Sequence, residues 1–176
     1  MNINKTENKK IILAALFSGI ICILAQISVL TPSGIPVTLQ ILGVALAGFT
    51  LGAKWSAASV AVYLIMGFVG LPVFSQFRGG VQMLFSYTGG FLIGFLPLAV
   101  CCGIAKTVKN KPLKVCFAAL GIALCHTIGV LHLVLVSKVG FKEAVLSASL
   151  PFLLKDIILV LLAFGFYKAL EKRLKI

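Results

Sequence analysis

Residues 71–95 read LPVFSQFRGGVQMLFSYTGGFLIGF and lie mid-chain between long hydrophobic segments. The stretch holds Arg78, the one arginine before the C-terminal tail. It also holds two glycine pairs, Gly79-Gly80 and Gly89-Gly90, and its first half is too polar and too broken to continue the flanking helices. We therefore predict a central loop over 71–87, which divides the chain into membrane-spanning helices on either side.

The composition supports a membrane protein. Of 176 residues, 60% are hydrophobic and 11% are charged, whereas a soluble domain has roughly 25% charged residues. The mean hydropathy is +1.13. A run of about 20 apolar residues crosses the hydrocarbon core as a helix, in which the backbone pairs its own polar groups. A soluble bundle of stacked apolar helices is the alternative, and so many long runs disfavour it.

We expect one all-α integral membrane domain over residues 1–176 with six transmembrane helices. The first apolar run is long for a signal peptide, and no small-x-small cleavage site follows it, so we keep it as a helix. Pro and Gly mark the turns between helices. The predicted helices cover about 11–30, 37–51, 56–70, 88–107, 115–136 and 151–170.

The net charge of +12 fits a membrane surface better than nucleic acid, because the lysines cluster between hydrophobic runs. With six helices, most of the Lys and Arg residues fall on the side of the two termini. The positive-inside rule then places both termini in the cytoplasm. Arg78 and Asp156 fall together on the outer side.

Asp156 is the sole aspartate, and it lies within the sixth predicted helix. An acid there costs about 2.5–3.5 kcal/mol on insertion scales, so a functional role is the default interpretation. The alternative is a pairing with Lys155 at the interface. Arg78 could grip a carboxylate, with the backbone of Gly79 and Gly80 open to a ligand, or it could contact lipid headgroups.

Weaker candidates surround these two. Thr88 opens a helix whose N-terminus favours an anion, and Gln40 could bond a polar ligand. Tyr87 could wall a pocket. On the first helix a small-residue face, which consists of Ala14, Ala15, Ser18 and Gly19, could admit a partner helix or simply pack within the chain.

Catalytic motifs are missing from the sequence. It contains no HExxH, no P-loop, no CxxC pair and no Ser/His/Asp grouping. His126 and His132 are six residues apart and fall on different faces of a helix, which disfavours a shared metal. We therefore expect neither an enzyme nor a bound cofactor, and the missing P-loop also disfavours a self-sufficient ATP-driven pump.

Five segments together resemble the BioY family. They are residues 35–40 (IPVTLQ), 67–74 (GFVGLPVF), 78–80 (RGG), 88–95 (TGGFLIGF) and 151–156 with Pro151, Phe152 and Asp156. Their order and spacing match over nearly the whole chain. The sequence departs from the family pattern in two places: residues 86–91 read SYTGGF where GPTGGY is usual, which loses the proline and the tyrosine hydroxyl, and Leu159 stands where a lysine is usual.

The resemblance implies a biotin-binding substrate-specificity (S) component of an energy-coupling factor transporter in a bacterial plasma membrane. It implies a six-helix S-component fold and a pocket in the outer half of the bilayer. The partners would be a transmembrane coupling protein, which meets the small-residue face of the first helix, and two cytosolic ATPases. The S component would topple in the membrane to carry its ligand inward.

On this resemblance each candidate has an expected role. Asp156 accepts from the ureido N–H groups, and Arg78 with the Gly79 and Gly80 amides holds the carboxylate or closes the loop. Further hydrogen bonds come from Gln40 and Thr88, and the rings are covered by Tyr87 and Phe91. The departures leave open an S component for another small acid such as lipoate. A ligand-free membrane scaffold is the alternative from a different class.

Overall fold

The computed structural model describes residues 5–31 and 35–174. Within them the chain is helical apart from one small hairpin and the central loop. The helices are α1 (Lys5–Gln26), α2 (Gln40–Leu51), α3 (Ala53–Phe68), α4 (Gly89–Thr107), α5 (Lys111–Ser137), α6 (Phe141–Ala144) and α7 (Leu150–Leu174). A π-helical turn, Val145–Ser149, joins α6 to α7.

The predicted six-helix membrane architecture is confirmed. Four helical runs are long and apolar enough to cross a membrane: Glu7–Gln26, Gly89–Thr107, Lys111–Ser137 and Phe141–Lys172. The two shorter apolar helices are Gln40–Leu51 and Ala53–Phe68. Since α6, the π turn and α7 run on continuously, they count as one spanning element, and the chain is a multi-pass membrane protein.

The predicted end of the first helix and the predicted start of the second were wrong. Residues 28–30 and 37–38 form an antiparallel hairpin rather than helix: β1 (Ser28–Leu30) pairs with β2 (Pro36–Thr38), with Ser28 opposite Thr38. The β-branched residues here favour extended backbone. Pro36 also lacks the N–H that a helix interior needs, and it sits at the start of a strand as proline tolerates.

The fifth and sixth predicted helices are longer than expected. The fifth helix begins at Lys111 rather than near 115, because Pro112 is well placed in a first turn. It ends at Ser137, because the next residue, Lys138, has a left-handed backbone (φ 56°) that terminates the helix. The predicted sixth helix, 151–170, extends to Leu174.

Small residues on α4 and on α2 let α4 and its neighbours approach closely. A methyl group on Gly94 would lie 2.9 Å from Cα of Cys125 on α5, and one on Gly48 would lie 2.8 Å from the carbonyl oxygen of Ala99. In lipid, where helices gain little from hydrophobic burial against each other, such close approach supplies van der Waals packing. The helix α4 therefore forms the centre of the bundle, packed against α2, α3 and α5.

The central loop contains two single turns of 3-10 helix, Ser75–Phe77 and Val81–Phe85. Gln26, the last residue of α1, forms hydrogen bonds to the first half of this loop. The Gln26 side-chain amide donates to the carbonyl oxygens of Val73 (3.2 Å) and Phe74 (3.1 Å), and it accepts from the Phe77 N–H (3.0 Å). The loop is thereby fixed over the same end of the bundle as the hairpin.

Candidate functional site

A polar cavity lies under the loop and the hairpin. Its volume is about 60 Å³, which is room for a few waters at about 10–15 Å³ each. The walls come from β2, the start of α2, the central loop, the start of α4 and the start of α7. Its polar side chains include Thr38, Gln40, Ser75, Thr88, Lys155 and Asp156.

Asp156 carries the negative charge of this cavity. It is 3% exposed. Its Oδ2 lies 3.1 Å from Nε2 of His126 on α5, and the other ring nitrogen of His126 lies 2.9 Å from the Ser149 hydroxyl. Its Oδ1 has no hydrogen-bond partner among the described residues. His126 thus holds one carboxylate oxygen, and the other makes no hydrogen bond to the described residues.

Lys155 supplies the matching positive charge. Its Nζ lies 2.5 Å from Asp156 Oδ1, close enough for an ion pair, although the angles are not those of a hydrogen bond. The ammonium also donates to the carbonyl oxygen of Thr38 (3.2 Å), so it ties α7 to β2. Leu159, where the family usually has lysine, is buried in the core at 6% exposure. The cation of this cavity therefore comes from position 155.

Gln40 and Thr38 form a second polar group in the cavity wall. The Thr38 hydroxyl donates to the Gln40 side-chain oxygen (2.8 Å), and the Gln40 side-chain amide donates to the Tyr63 hydroxyl. Gln40 is 5% exposed and Tyr63 is fully buried. These bonds fix the orientation of the Gln40 amide before any ligand arrives.

Thr88 and Phe91, at the start of α4, complete the walls. The Thr88 hydroxyl lies 3.1 Å from that of Ser86. The Phe91 ring meets the His126 ring edge-on, with centroids 5.8 Å apart. Four of the eight predicted ligand-binding residues, Asp156, Gln40, Thr88 and Phe91, are thus brought together around one cavity.

The other four do not line it. Arg78 is exposed on the central loop, and the Tyr87 side chain is 52% exposed. The Gly80 N–H, which was expected to face a ligand, instead donates to the Gly67 carbonyl (2.7 Å). A side chain on Gly79 would clash with the Leu71 carbonyl. These glycines therefore serve loop packing, and a ligand contact by Arg78 stays a prediction.

The small-residue face of α1 divides in two. Ala14 and Ser18 point inward, and the Ser18 hydroxyl donates to the carbonyl oxygen of Ser59 on α3 (2.7 Å). Ala15 is exposed, and no atom of the described residues lies within 4 Å of where a Gly19 side chain would begin. The internal packing that was the alternative interpretation thus accounts for Ala14 and Ser18, whereas Ala15 and Gly19 are open to a partner.

His126 is the residue that sequence reasoning missed. It was considered only as a metal ligand, and the described residues contain no cluster of three groups that could hold a metal. Its role depends on α5 and α7 lying side by side. The positions of His126 and Asp156 in the sequence do not reveal that contact. A buried polar residue in an apolar helix was the available signal, since such a group needs a partner.

This membrane protein has a cavity at one end of its helix bundle, lined by a buried acid, its paired cation and the fixed amide of Gln40. These features are typical of solute-binding membrane subunits. Comparison with known proteins identifies the family within that class. The family model described as the BioY family matches residues 1–176. The chain belongs to the BioY family.

Named relatives agree with this assignment. The chain is 37% identical over 150 residues to the probable biotin transporter BioY of Pyrococcus horikoshii, covering 85% of this chain and 88% of the relative. It is 33% identical over 157 residues to the biotin transporter BioY of Thermotoga maritima, covering 88% and 91%. It is 34% identical over 173 residues to the biotin transporter BioY2 of Lactococcus lactis, covering 96% and 93%.

A solved structure shares the fold. The crystal structure at 2.1 Å of the S-component for biotin from an ECF-type ABC transporter superposes with a TM-score of 0.86 at 25% identity. The match covers 98% of this chain and 95% of that one. The S-component fold expected from the sequence is confirmed.

Proposed function

We propose that this protein is the biotin-binding S component of an energy-coupling factor transporter. The observation that carries the proposal is Asp156: a buried carboxylate with one oxygen held by His126 and the other ion-paired with Lys155 but without a hydrogen bond from the described residues. Biotin offers ureido N–H donors that a carboxylate accepts. Hydrogen bonds to a charged group are worth about 1.5–3 kcal/mol, more than those between neutral groups.

The remaining cavity groups fit the same ligand. Lys155 is adjacent to Asp156 and could meet either the ureido oxygen or the carboxylate of biotin, while Phe91 and Phe152 offer apolar surface to the bicyclic ring. Gln40 and Thr88 offer further hydrogen bonds. In this arrangement the protein binds and releases its ligand without chemistry, so we infer that it is not an enzyme.

The cavity must widen to admit biotin. Its volume of about 60 Å³ is well below the roughly 300–1,000 Å³ of usual small-molecule sites. The central loop contributes Phe74, Ser75 and Met83 to the walls, so we propose that this loop moves away on entry and returns over the ligand. Arg78, with Gly79, Gly80 and Tyr87 beside it, would then approach the carboxylate end of biotin.

Transport requires partners that this chain does not supply. We propose a transmembrane coupling protein, seated on Ala15 and Gly19 of α1, and two cytosolic ATPases. The protein would lie in a bacterial plasma membrane with both termini in the cytoplasm, because the end that carries most lysines should face inward. The cavity then opens to the outside, where a solute arrives.

A second ligand is favoured by one observation. Leu159 occupies the position of the usual family lysine, and it is buried, so the charge around the ligand differs from the family pattern. Lipoate is a sulfur-containing acid without ureido groups. Its carboxylate would need the Lys155 cation, but it has no ureido N–H to donate to Asp156.

Calorimetric titration of the purified protein with biotin and, in parallel, lipoate tests the proposal. We expect one-to-one binding of biotin and none of lipoate at the same concentration. Binding of lipoate alone would overturn the assignment of biotin. Binding of neither would overturn both ligands and favour the scaffold.

A further inference from the structure

A large groove lies at the end of the bundle opposite the biotin cavity. Its volume is about 620 Å³, within the roughly 300–1,000 Å³ range of small-molecule sites. It opens between α5 and α7, and Phe49 of α2 contributes to its lining. The lining combines four lysines with an apolar set: Lys109, Lys111, Lys114 and Lys168, then Val115, Ala118, Val160, Leu161 and Phe164.

The groove is graded from cationic to apolar. Along α5 the lining passes from Lys111 and Lys114 to Ala118; along α7 it passes from Lys168 through Phe164 to Val160. Since α5 starts and α7 finishes at this end, the two gradients run the same way. The α7 side, at 1.5 Å per residue, is about 12 Å long. Such a groove suits a molecule with an anionic head and an apolar tail.

The positive charge at the mouth is largely uncompensated. Lys168 pairs with Glu171 at 2.8 Å. No acidic group in the described part of the chain lies within 4 Å of Lys109, Lys111 or Lys114. Glu171 also interacts electrostatically with Lys114. One acid of the described residues thus serves both Lys168 and Lys114, and the four lysines keep an excess of positive charge at this edge of the bundle.

The walls face the bilayer. Val115 is 66% exposed and Leu161 is 63% exposed, on helices that span the membrane. Phe49 and Phe164 meet edge-on with centroids 5.4 Å apart, which gives the groove a firm aromatic side. A soluble anion would use the lysines and leave the apolar walls uncovered, whereas a lipid would use both.

We propose that this groove binds an anionic phospholipid, with its phosphate on Lys109, Lys111 and Lys114 and one acyl chain along Ala118 and Leu161. The proposal is independent of the ligand at the other end. Each lysine near an anionic lipid contributes about 1 kcal/mol, which corresponds to about fivefold in affinity. Removing two lysines should therefore weaken the lipid about thirtyfold.

Native mass spectrometry of the purified full chain tests this. The protein is titrated with phosphatidylglycerol and with phosphatidylcholine of the same acyl chains. We expect phosphatidylglycerol to bind preferentially, K111Q/K114Q to lose most of that binding, and K138Q/K142Q to keep it. The control removes the same charge from exposed lysines at the opposite end.

Two further measurements test the acyl-chain contact and the headgroup contact separately. Ala118→Trp, which fills the apolar part, should reduce phosphatidylglycerol binding with the lysines intact, and glycerol 3-phosphate should not compete. Melting curves check that each variant is folded. Equal binding of the two lipids would overturn the proposal, and so would phosphatidylglycerol binding by K111Q/K114Q within twofold of that by wild type. Full competition by glycerol 3-phosphate would also overturn it, because it would indicate a soluble-anion site. In the first two cases an acidic segment of a partner protein becomes the better occupant.

Discussion

Asp156, in the second turn of α7, shows why a single acid can be recognised from the sequence while its partners cannot. A lone aspartate in an apolar helix is costly, and that cost predicted its importance. The contact with His126 joins α5 to α7 through two residues that are 30 positions apart in the chain. No pattern within either helix encodes their juxtaposition, and so His126 was missed.

Replacing Asp156 tests the ligand contact at the level of one side chain. We expect Asp156→Asn to weaken biotin about 10- to 100-fold, because it removes a charged acceptor worth about 1.5–3 kcal/mol. Calorimetry in detergent measures the affinity. Glu143→Gln, which neutralises an exposed acid of α6 outside the cavity lining, is the control. If both variants bind like wild type, Asp156 is not in the site.

His126 positions Asp156 and does not itself line the cavity. We expect His126→Ala to weaken biotin about tenfold, since Oδ2 loses its partner, a bond to a charged group worth at least about 1.5 kcal/mol. His132→Ala, which removes the same side chain elsewhere on α5, should change affinity less than twofold. Equal effects of the two histidine variants on a biotin titration would contradict this role.

At the scale of the element, helices and strands differ in how well the sequence specifies them. Six spanning segments were predictable because the bilayer fixes the length of an apolar run. The hairpin was not, because residues 28–30 continue the hydrophobicity of α1 and strands of three residues give almost no periodicity. The hairpin matters for the site, since Pro36 and Thr38 of β2 line the cavity.

The packing of the loop on α3 depends on Gly67. A methyl group there would overlap the ring of Phe74, a cavity-lining residue. We expect Gly67→Ala to destabilise the protein by about 1–3 kcal/mol, the usual cost of overpacking, and to weaken biotin. Thermal melting with a binding titration measures both.

Gly165→Ala provides the matched control, because the added methyl group has no neighbour within 4 Å in the part of the chain that the structure describes. Alanine favours a helix over glycine by up to about 1 kcal/mol. This variant should therefore melt no lower than wild type. A melting point for Gly67→Ala as high as that of Gly165→Ala would show that the loop does not rest on this contact.

At the scale of the whole molecule, the two ends differ in charge and in use. The cavity, the hairpin and the loop share one end, and most lysines are at the other. This polarity was predictable from the order of apolar and basic segments. The division of the α1 face into inward Ala14 and Ser18 and outward Ala15 and Gly19 was not, since it depends on where α3 lies.

Assembly with the coupling protein should depend on the outward half of that face. We expect Ala15→Leu to reduce co-purification of the coupling protein severalfold while biotin binding stays unchanged, because a large side chain blocks close helix approach. Ala119→Leu, at an exposed site on α5, should leave assembly intact. Loss of assembly in both variants, or in neither, would contradict the assignment of this surface.

The most direct measurement pairs a change in the protein with a change in the ligand. Biotin and biotin methylated on a ureido nitrogen are titrated into wild type and into Asp156→Asn, as in a double-mutant cycle. If Asp156 accepts from the ureido group, methylation weakens binding strongly in wild type and much less in the variant. An equal loss in both proteins would show that biotin, if bound, is not held by Asp156 in this cavity.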